Sequence, residues 1–184
     1  GVWLCKILQS AGAKLTGYAL EPNTEESKSF FDLSGIESRM TSHIGDIRDY
    51  EHLKQTFDLC DPQIVIHLAA QPLVIEGYED PVGTYSTNVM GTVNILECIR
   101  NSEGVKSFLN VTTDKVYLNR EVAEVGYIEE DQLDGFDPYS NSKSCSELVT
   151  HSYKSSFLND RGISISTARA GNVIGGGDFA ANRI

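Results

Sequence analysis

A parallel α/β sheet, doubly wound by helices on both faces, is the fold class this sequence predicts. Three observations carry it. Short apolar and β-branched runs alternate with segments of helical periodicity along the whole chain. The run at 63–68 is nearly continuous in apolar character, as a parallel strand covered on both faces requires. Successive strand-like runs are joined through helices, and such crossovers in one sheet are right-handed. No internal repeat or low-complexity segment interrupts the pattern.

The elements follow in order. Residues 2–11 read as a helix, with Val2, Leu4, Cys5, Leu8 and Ala11 forming most of an apolar stripe and Gly12 as its stop. Residues 14–20 form a short strand. Pro22-Asn23-Thr24 is a turn, and Thr24-Glu25-Glu26 can start a short helix. Residues 40–44 are the next strand. Residues 49–59 carry helical periodicity through Leu53, Phe57 and Leu59, with Asp49 as N-cap. The run 63–68 is expected to be a central strand. Residues 81–100 form a long helix with Pro81 in its first turn. A strand at 105–111 follows. Asp137-Pro138 opens a helix to about 158, and 163–168 is the last strand. The polar, acidic stretch 119–136 is a loop long enough to be functional.

A chain of 184 residues suffices for one domain with a sizeable core. Its formal net charge of -11 argues against nonspecific nucleic-acid binding. It leaves room for an anionic small ligand in a locally positive pocket. No apolar run approaches the roughly 20 residues of a membrane span, and no basic-then-apolar leader is visible. No membrane partner and a cytoplasmic location are therefore expected. Cys5, Cys60, Cys98 and Cys145 form no C-x-x-C pair and read as reduced thiols. His43, His52, His67 and His151 lack metal-ligand spacing, so no metal is expected, and His67 reads as a packed histidine at a strand end.

The chemistry concentrates in two segments. Leu109-Asn110-Val111-Thr112-Thr113 reads as a buried strand ending in hydroxyls, followed at once by Asp114 and Lys115. Tyr139 and Lys143 lie four residues apart, hence on one face of a helix. An ammonium there lowers the phenol pKa and makes a base suited to removing an alcohol proton. A Tyr/Lys spacing alone is common on helices, and a solvated turn is the competing reading of Asp114-Lys115.

Together these segments resemble the extended short-chain dehydrogenase/reductase superfamily, which acts on nucleotide sugars. The resemblance implies a Thr113, Tyr139, Lys143 triad on an NAD-binding Rossmann fold. Asp114-Lys115 matches the form found in CDP-glucose 4,6-dehydratases. Gly1-Val2-Trp3-Leu4 looks like the end of the family's G-x-x-G-x-x-G segment, with Gly1 as its last glycine at the pyrophosphate. The competing reading of Gly1 is a cloning remnant. On the first reading residues 1–184 are a partial NAD-binding domain, lacking the first strand, the first two glycines and most of a C-terminal substrate domain. The substrate-binding region would begin near 172–184.

Further roles come from the same resemblance. Gly45-Asp46-Ile47-Arg48-Asp49 resembles the adenine-binding segment, with Asp46 and Ile47 as contacts. His67-Leu68-Ala69-Ala70-Gln71 places Leu68, Ala69 and Ala70 at the cofactor's diphosphate and ribose, and Gln71 on the substrate side. Asn88, in Thr87-Asn88-Val89-Met90-Gly91-Thr92-Val93-Asn94, steadies the sheet–helix region beside the cofactor. In Ala168-Arg169-Ala170-Gly171-Asn172-Val173-Ile174-Gly175-Gly176-Gly177-Asp178, Ala170 faces the nicotinamide and Asn172 the sugar diphosphate. Arg183 falls where a substrate phosphate would sit, with a surface arginine as the alternative. The position of the family's ribose-binding Asp falls near Ala19, with Glu21 two residues on. No arginine cluster is present for a 2′-phosphate, so NAD is expected over NADP.

The implied reaction converts CDP-glucose to CDP-4-dehydro-6-deoxyglucose with loss of water and internal recycling of NAD, a step of deoxysugar biosynthesis such as that of O-antigen lipopolysaccharide. A homodimer or homotetramer is expected. The alternatives are a 4,6-dehydratase of GDP-mannose or of dTDP- or UDP-sugars, a UDP-sugar 4-epimerase that needs no Asp114-Lys115, and a nonenzymatic dinucleotide-binding regulator.

Overall fold

A computed structural model describes residues 1–22, 25–120 and 126–177. The chain divides into two compact units, Gly1–Cys60 with Val173–Ile184, and Asp61–Asn172.

The first unit holds α1 (Val2–Ser10), β1 (Thr16–Ala19), α2 (Glu25–Ser34), β2 (Thr41–Ile44) and α3 (Tyr50–Cys60). Gly12 stops α1 as expected. At φ 85° it lets its own N–H reach Gln9 O while Ala13 N–H reaches Leu8 O, closing the last carbonyls in a Schellman motif. The apolar stripe of α1 is only half-buried, and Ala11 lies past the helix as its exposed C-cap. β1 and β2 pair in parallel from Thr16 opposite Thr41 to Ala19 opposite Ile44. Asp49 caps α3, accepting from His52 N–H at 3.1 Å. On α3, Leu53 and Phe57 are buried with Thr56, whereas Leu59 is 83% exposed. The helical period turns position 59 away from the face that 53, 56 and 57 share.

The second unit holds β3 (Ile64–His67), α4 (Val74–Glu79), α5 (Pro81–Tyr85), α6 (Gly91–Arg100), β4 (Ser107–Thr113), α7 (Pro138–Tyr153) and β5 (Ser164–Ala170). A π-turn at Ser86–Met90 joins α5 to α6, so the long helix expected at 81–100 is continuous but locally widened. Asp80 and Asp137 cap α5 and α7 through Gly83 N–H and Ser140 N–H, each with Pro in the first turn. The short α4 has no counterpart among the sequence expectations.

The strands pair in parallel in the order β3-β4-β5, with Ser107 of β4 opposite both Ile64 and Ser164. β3 is thus an edge strand of this sheet and not a central one. Ile64 is accordingly 66% exposed, and β4 takes the covered position. Its Phe108 is fully buried, and Ile95, Leu96, Ile99, Val105, Leu158 and Ile165 are buried core residues with it. The single sheet expected from sequence is resolved as two, β1-β2 and β3-β4-β5. Parallel pairing throughout both sheets is that of a Rossmann-like fold whose first strand has no counterpart among the described residues.

Candidate active site

The residues expected at the reacting end of the site fall almost entirely in the second unit, at the carboxyl ends of β3, β4 and β5. That is where an open parallel sheet binds its ligands. β4 ends at Thr113, which is buried. A 3-10 turn, Asp114–Val116, follows immediately. Thr113 Oγ1 accepts from Lys115 N–H at 3.3 Å and donates to Asp114 Oδ1 at 3.2 Å. The Thr-Asp-Lys sequence therefore makes its own cap, and Val116, fully buried, anchors the far side of the turn. Asp114 and Lys115 are left exposed. The end of β5 lies alongside, for a Cβ placed on Gly171 would stand 3.6 Å from Asp114 Oδ2.

Tyr139 and Lys143 sit on one face of α7, as their spacing predicts. Helix α7 is seated through small residues: Ser140, Ser142, Ser144 and Ser146 are all buried. Ser144 Oγ donates to Val116 O at 2.8 Å, tying the helix to the turn that carries Asp114 and Lys115. Lys143 is only 5% exposed, and its Nζ donates to Val111 O of β4 at 3.3 Å. Burial pulls its pKa down to about 8, and the negative charge of Glu147 works against that fall. Lys143 thus carries its charge at neutral pH on the face it shares with Tyr139.

Asn88 is fully buried in the π-turn. Its Oδ1 accepts from Gln71 N–H at 2.8 Å, and its Nδ2 donates to Gln71 O at 3.0 Å and to Ser142 Oγ at 2.8 Å. One side chain thereby fixes the backbone that leaves β3 and ties it to α7. Ala69 and Ala70, just before it, are half-buried, and Leu68 is exposed. The side chain of Gln71 is turned inward, with Nε2 on Thr84 Oγ1 at 2.7 Å and Oε1 accepting from Leu73 N–H. It holds the connection to α4, a role the sequence did not suggest. His67 is buried and stacks on Phe108, with Nε2 3.2 Å from Thr92 Oγ1. Burial first, then the Lys143 charge, lowers its pKa to about 3, so it is a neutral packing residue.

Ala170 closes β5 opposite Thr113, and Asn172 is exposed two residues beyond. Arg183 and Asp178 lie outside the described residues. In the first unit Gly1 is the N-cap of α1 and accepts from Cys5 N–H at 3.0 Å. Ile47 is buried. The Asp46 carboxylate is engaged by Arg48, whose Nε, Nη2 and backbone N–H all donate to it. The Arg48 bond holds the Asp46 pKa below its ordinary value. An adenine amino group would have to share these lone pairs.

The residues present fit a nicotinamide dinucleotide. Small side chains at Ala69, Ala70, Ala170 and Gly171 leave backbone accessible at the strand ends, and a single buried ammonium stands on the Tyr139 face. No group of three or more metal-ligating side chains occurs among the described residues. No helix among them is long and apolar enough to cross a membrane. The four cysteines are free thiols.

Sequence reading missed Glu147 and gave Arg169 no role. They form an ion pair at 3.0 Å, with Glu147 buried and Arg169 partly exposed. The available signal was the i, i+4 step from Lys143 to Glu147, which continues the Tyr139–Lys143 face.

Comparison with known proteins finds relatives that cover most or all of the chain. The family model described as GDP-mannose 4,6 dehydratase matches residues 1–176. A CDP-glucose 4,6-dehydratase of Salmonella typhimurium is 47% identical over 189 residues, covering 100% of this chain and 52% of that protein. The solved UDP-glucose 4-epimerase of Thermotoga maritima has a TM-score of 0.78 at 21% identity, over 92% of this chain and 51% of that one. A UDP-glucuronic acid 4-epimerase of Bacillus cereus, solved in complex with NAD, has a TM-score of 0.75 at 26% identity, over 95% of this chain and 54% of that one. The chain spans about half the length of the relatives it matches.

Proposed function

The chain belongs to the GDP-mannose 4,6 dehydratase family of extended short-chain dehydrogenases/reductases, and on that premise we propose that it serves a sugar-nucleotide 4,6-dehydratase acting on CDP-glucose. The observation that carries this reading is the self-capped Thr113-Asp114-Lys115 turn, tied through Val116 to the helix that presents Tyr139 and Lys143. The 47% identity to a protein named CDP-glucose 4,6-dehydratase supports the choice of nucleotide. The likeness to a structure solved with NAD supports the cofactor. The assembly proposed is a homodimer or homotetramer.

Bound NAD would supply the redox chemistry, taking up and returning two electrons within one turnover. The chain's own groups handle protons and orientation. Tyr139 takes the proton of the sugar 4-hydroxyl, and the Lys143 charge stabilises the phenolate it must begin as. Thr113 and Tyr139 then polarise the 4-keto oxygen, which acidifies the hydrogen on C5. Lys115 receives that proton, Asp114 gives one to the departing 6-hydroxyl, which leaves as water, and Lys115 returns a proton to C5 as C6 is reduced. Gly1, Asp46, Ile47, Leu68, Ala69, Ala70, Asn88 and Ala170 are assigned to the cofactor's seat. Asn172 and Arg183 are assigned to the substrate, whereas the side chain of Gln71, expected on the substrate side, is engaged by Thr84 and Leu73.

Asp114→Asn tests the proposal. General acid catalysis is worth about 10²–10⁴-fold, and an isosteric amide keeps the shape of the turn. The variant should still oxidise C4 but release water more slowly by about that factor, seen by mass spectrometry as a 4-keto hexose. Water loss at the parent rate would overturn Asp114 as the acid, and a parent protein that inverts C4 without any loss of water would overturn the dehydratase reading in favour of a 4-epimerase.

A further inference from the structure

We propose that Arg169 is a positioning residue, which with Glu147 pins the turn carrying Asp114 and Lys115 to the helix carrying Tyr139 and Lys143. The inference rests on the dehydratase reading for its catalytic consequence and goes beyond it in naming what holds the two groups of residues in register.

Tyr139, Lys143 and Glu147 follow one another at steps of four on α7 and share a face. Glu147 is buried, and each carboxylate oxygen accepts twice. Oε1 takes Thr112 Oγ1 and Arg169 Nε at 3.1 Å, and Oε2 takes Thr167 Oγ1 at 2.9 Å and Arg169 Nη2 at 3.0 Å. One edge of the guanidinium is thus locked to α7, with a hydroxyl from β4 and another from β5 completing the set.

The opposite edge faces the turn. Arg169 Nη1 lies 2.9 Å from Tyr117 OH and 2.9 Å from Glu129 O, and the guanidinium carbon lies 4.8 Å from the Tyr117 ring centroid. Tyr117 is the residue that ends the Asp114–Val116 turn. Its ring is in turn stacked on Tyr127, with centroids 4.6 Å apart and planes at 4°. Arg169 itself sits opposite Thr112 in the β4–β5 register and directly precedes Ala170. A single planar group therefore joins α7, the end of β5, the turn after β4 and the loop that follows it.

A buried ion pair is weak evidence for stability, because well-packed apolar residues of the same volume hold a fold as well. Such residues cannot fix angles. The five-donor fork of arginine does so in its own plane, which lysine cannot copy. The need for fixed angles is greatest here because Asp114 and Lys115 are exposed and take their direction from the ends of a three-residue turn. Thr113 fixes one end, and Val116 and Tyr117 fix the other.

Tyr117→Phe in the complete protein is the test. It removes the hydroxyl that Arg169 holds and leaves the ring stack and the Glu147–Arg169 pair in place. Two readouts are needed. In single turnover with CDP-glucose, C4 oxidation should keep the parent rate. Solvent-deuterium exchange at C5 and loss of water should both slow by roughly tenfold to a hundredfold, the scale of an ångström-sized misplacement. Equal slowing of both steps, or of neither, would overturn the inference. Amide hydrogen exchange reads the pinning without turnover. Protection at residues 115–118 should fall while 139–147 keeps its own, and unchanged protection at 115–118 overturns the inference by itself. A parent protein that fails to dehydrate any nucleotide sugar while the amides respond as stated strikes the functional reading and leaves the pinning standing.

Discussion

Lys143 joins the helix that bears Tyr139 to the strand that bears Thr113. Its stem is buried, its ammonium ends on a β4 carbonyl, and Tyr139 lies one turn earlier on the same face. Tyr139→Phe should reduce C4 oxidation by about 10²–10⁴-fold while NAD affinity stays within a few-fold, because the variant removes only the proton acceptor. Near-parent turnover would sink the triad. His67, on β3, allows a test that involves no chemistry. Its folded pKa, about 3, lies below the ordinary histidine value of 6.5. Between these values the unfolded chain binds a proton that the folded chain refuses, so stability is complete above pH 6.5 and falls as pH drops toward 3. This one group should cost about 2 kcal/mol between pH 7 and pH 5. Urea denaturation of His67→Gln, whose amide can keep the Thr92 bond, should show that part of the acid loss removed. An unchanged pH slope would mean that His67 is not the group responsible.

At the scale of elements, the placement of α7 decides whether Tyr139 and Lys143 face the strand ends. Two glycines set its height. A Cβ on Gly77 would stand 3.2 Å from Tyr139 N, and one on Gly135 would stand 2.3 Å from Ser140 C. The second is backbone against backbone, so relief requires the first turn of α7 to move. Gly135→Ala should therefore destabilise the protein by about 1–3 kcal/mol and depress turnover further than the stability loss explains. Gly126→Ala, where nothing lies within 4 Å, is the matched control. Equal melting temperatures and turnover in the two variants would show that the close approach is relieved without moving the helix. Elements with local signals were legible in the sequence: Asp49 and Asp137 cap helices through their own side chains, Pro81 opens α5, and Gly12 stops α1. The six-residue α4 was not, because it is too short for a periodic apolar pattern and its Gly77 is there for packing. Leu59 was assigned to the apolar face of α3 and is exposed, because a hydrophobic residue near a helix end needs no buried partner.

At the scale of the whole molecule, local pattern and long-range register contribute differently. Thr113-Asp114-Lys115 and the Tyr139/Lys143 pair could be read from sequence because each is contiguous or one turn apart. Glu147 and Arg169 lie 22 residues apart and meet only through the register of β4 with β5, which no local pattern encodes. Net charge, in contrast, depends on no register. At -11 the chain would repel a nucleotide diphosphate at long range, while on the proposed reading Lys115 and Lys143 would attract it only at contact. Salt screens the first effect more than the second, because the Debye length falls from about 30 Å at 0.01 M to about 8 Å at 0.15 M. The association rate of CDP-glucose should therefore rise severalfold, on the order of three- to tenfold, over that range of ionic strength. Stopped-flow quenching of the fluorescence of Trp3, the only tryptophan in this chain, or of a labelled nucleotide measures it. A rate that falls with added salt would mean that a positive field at the mouth of the site outweighs the charge of the whole, and Lys115→Gln would then show whether Lys115 supplies it.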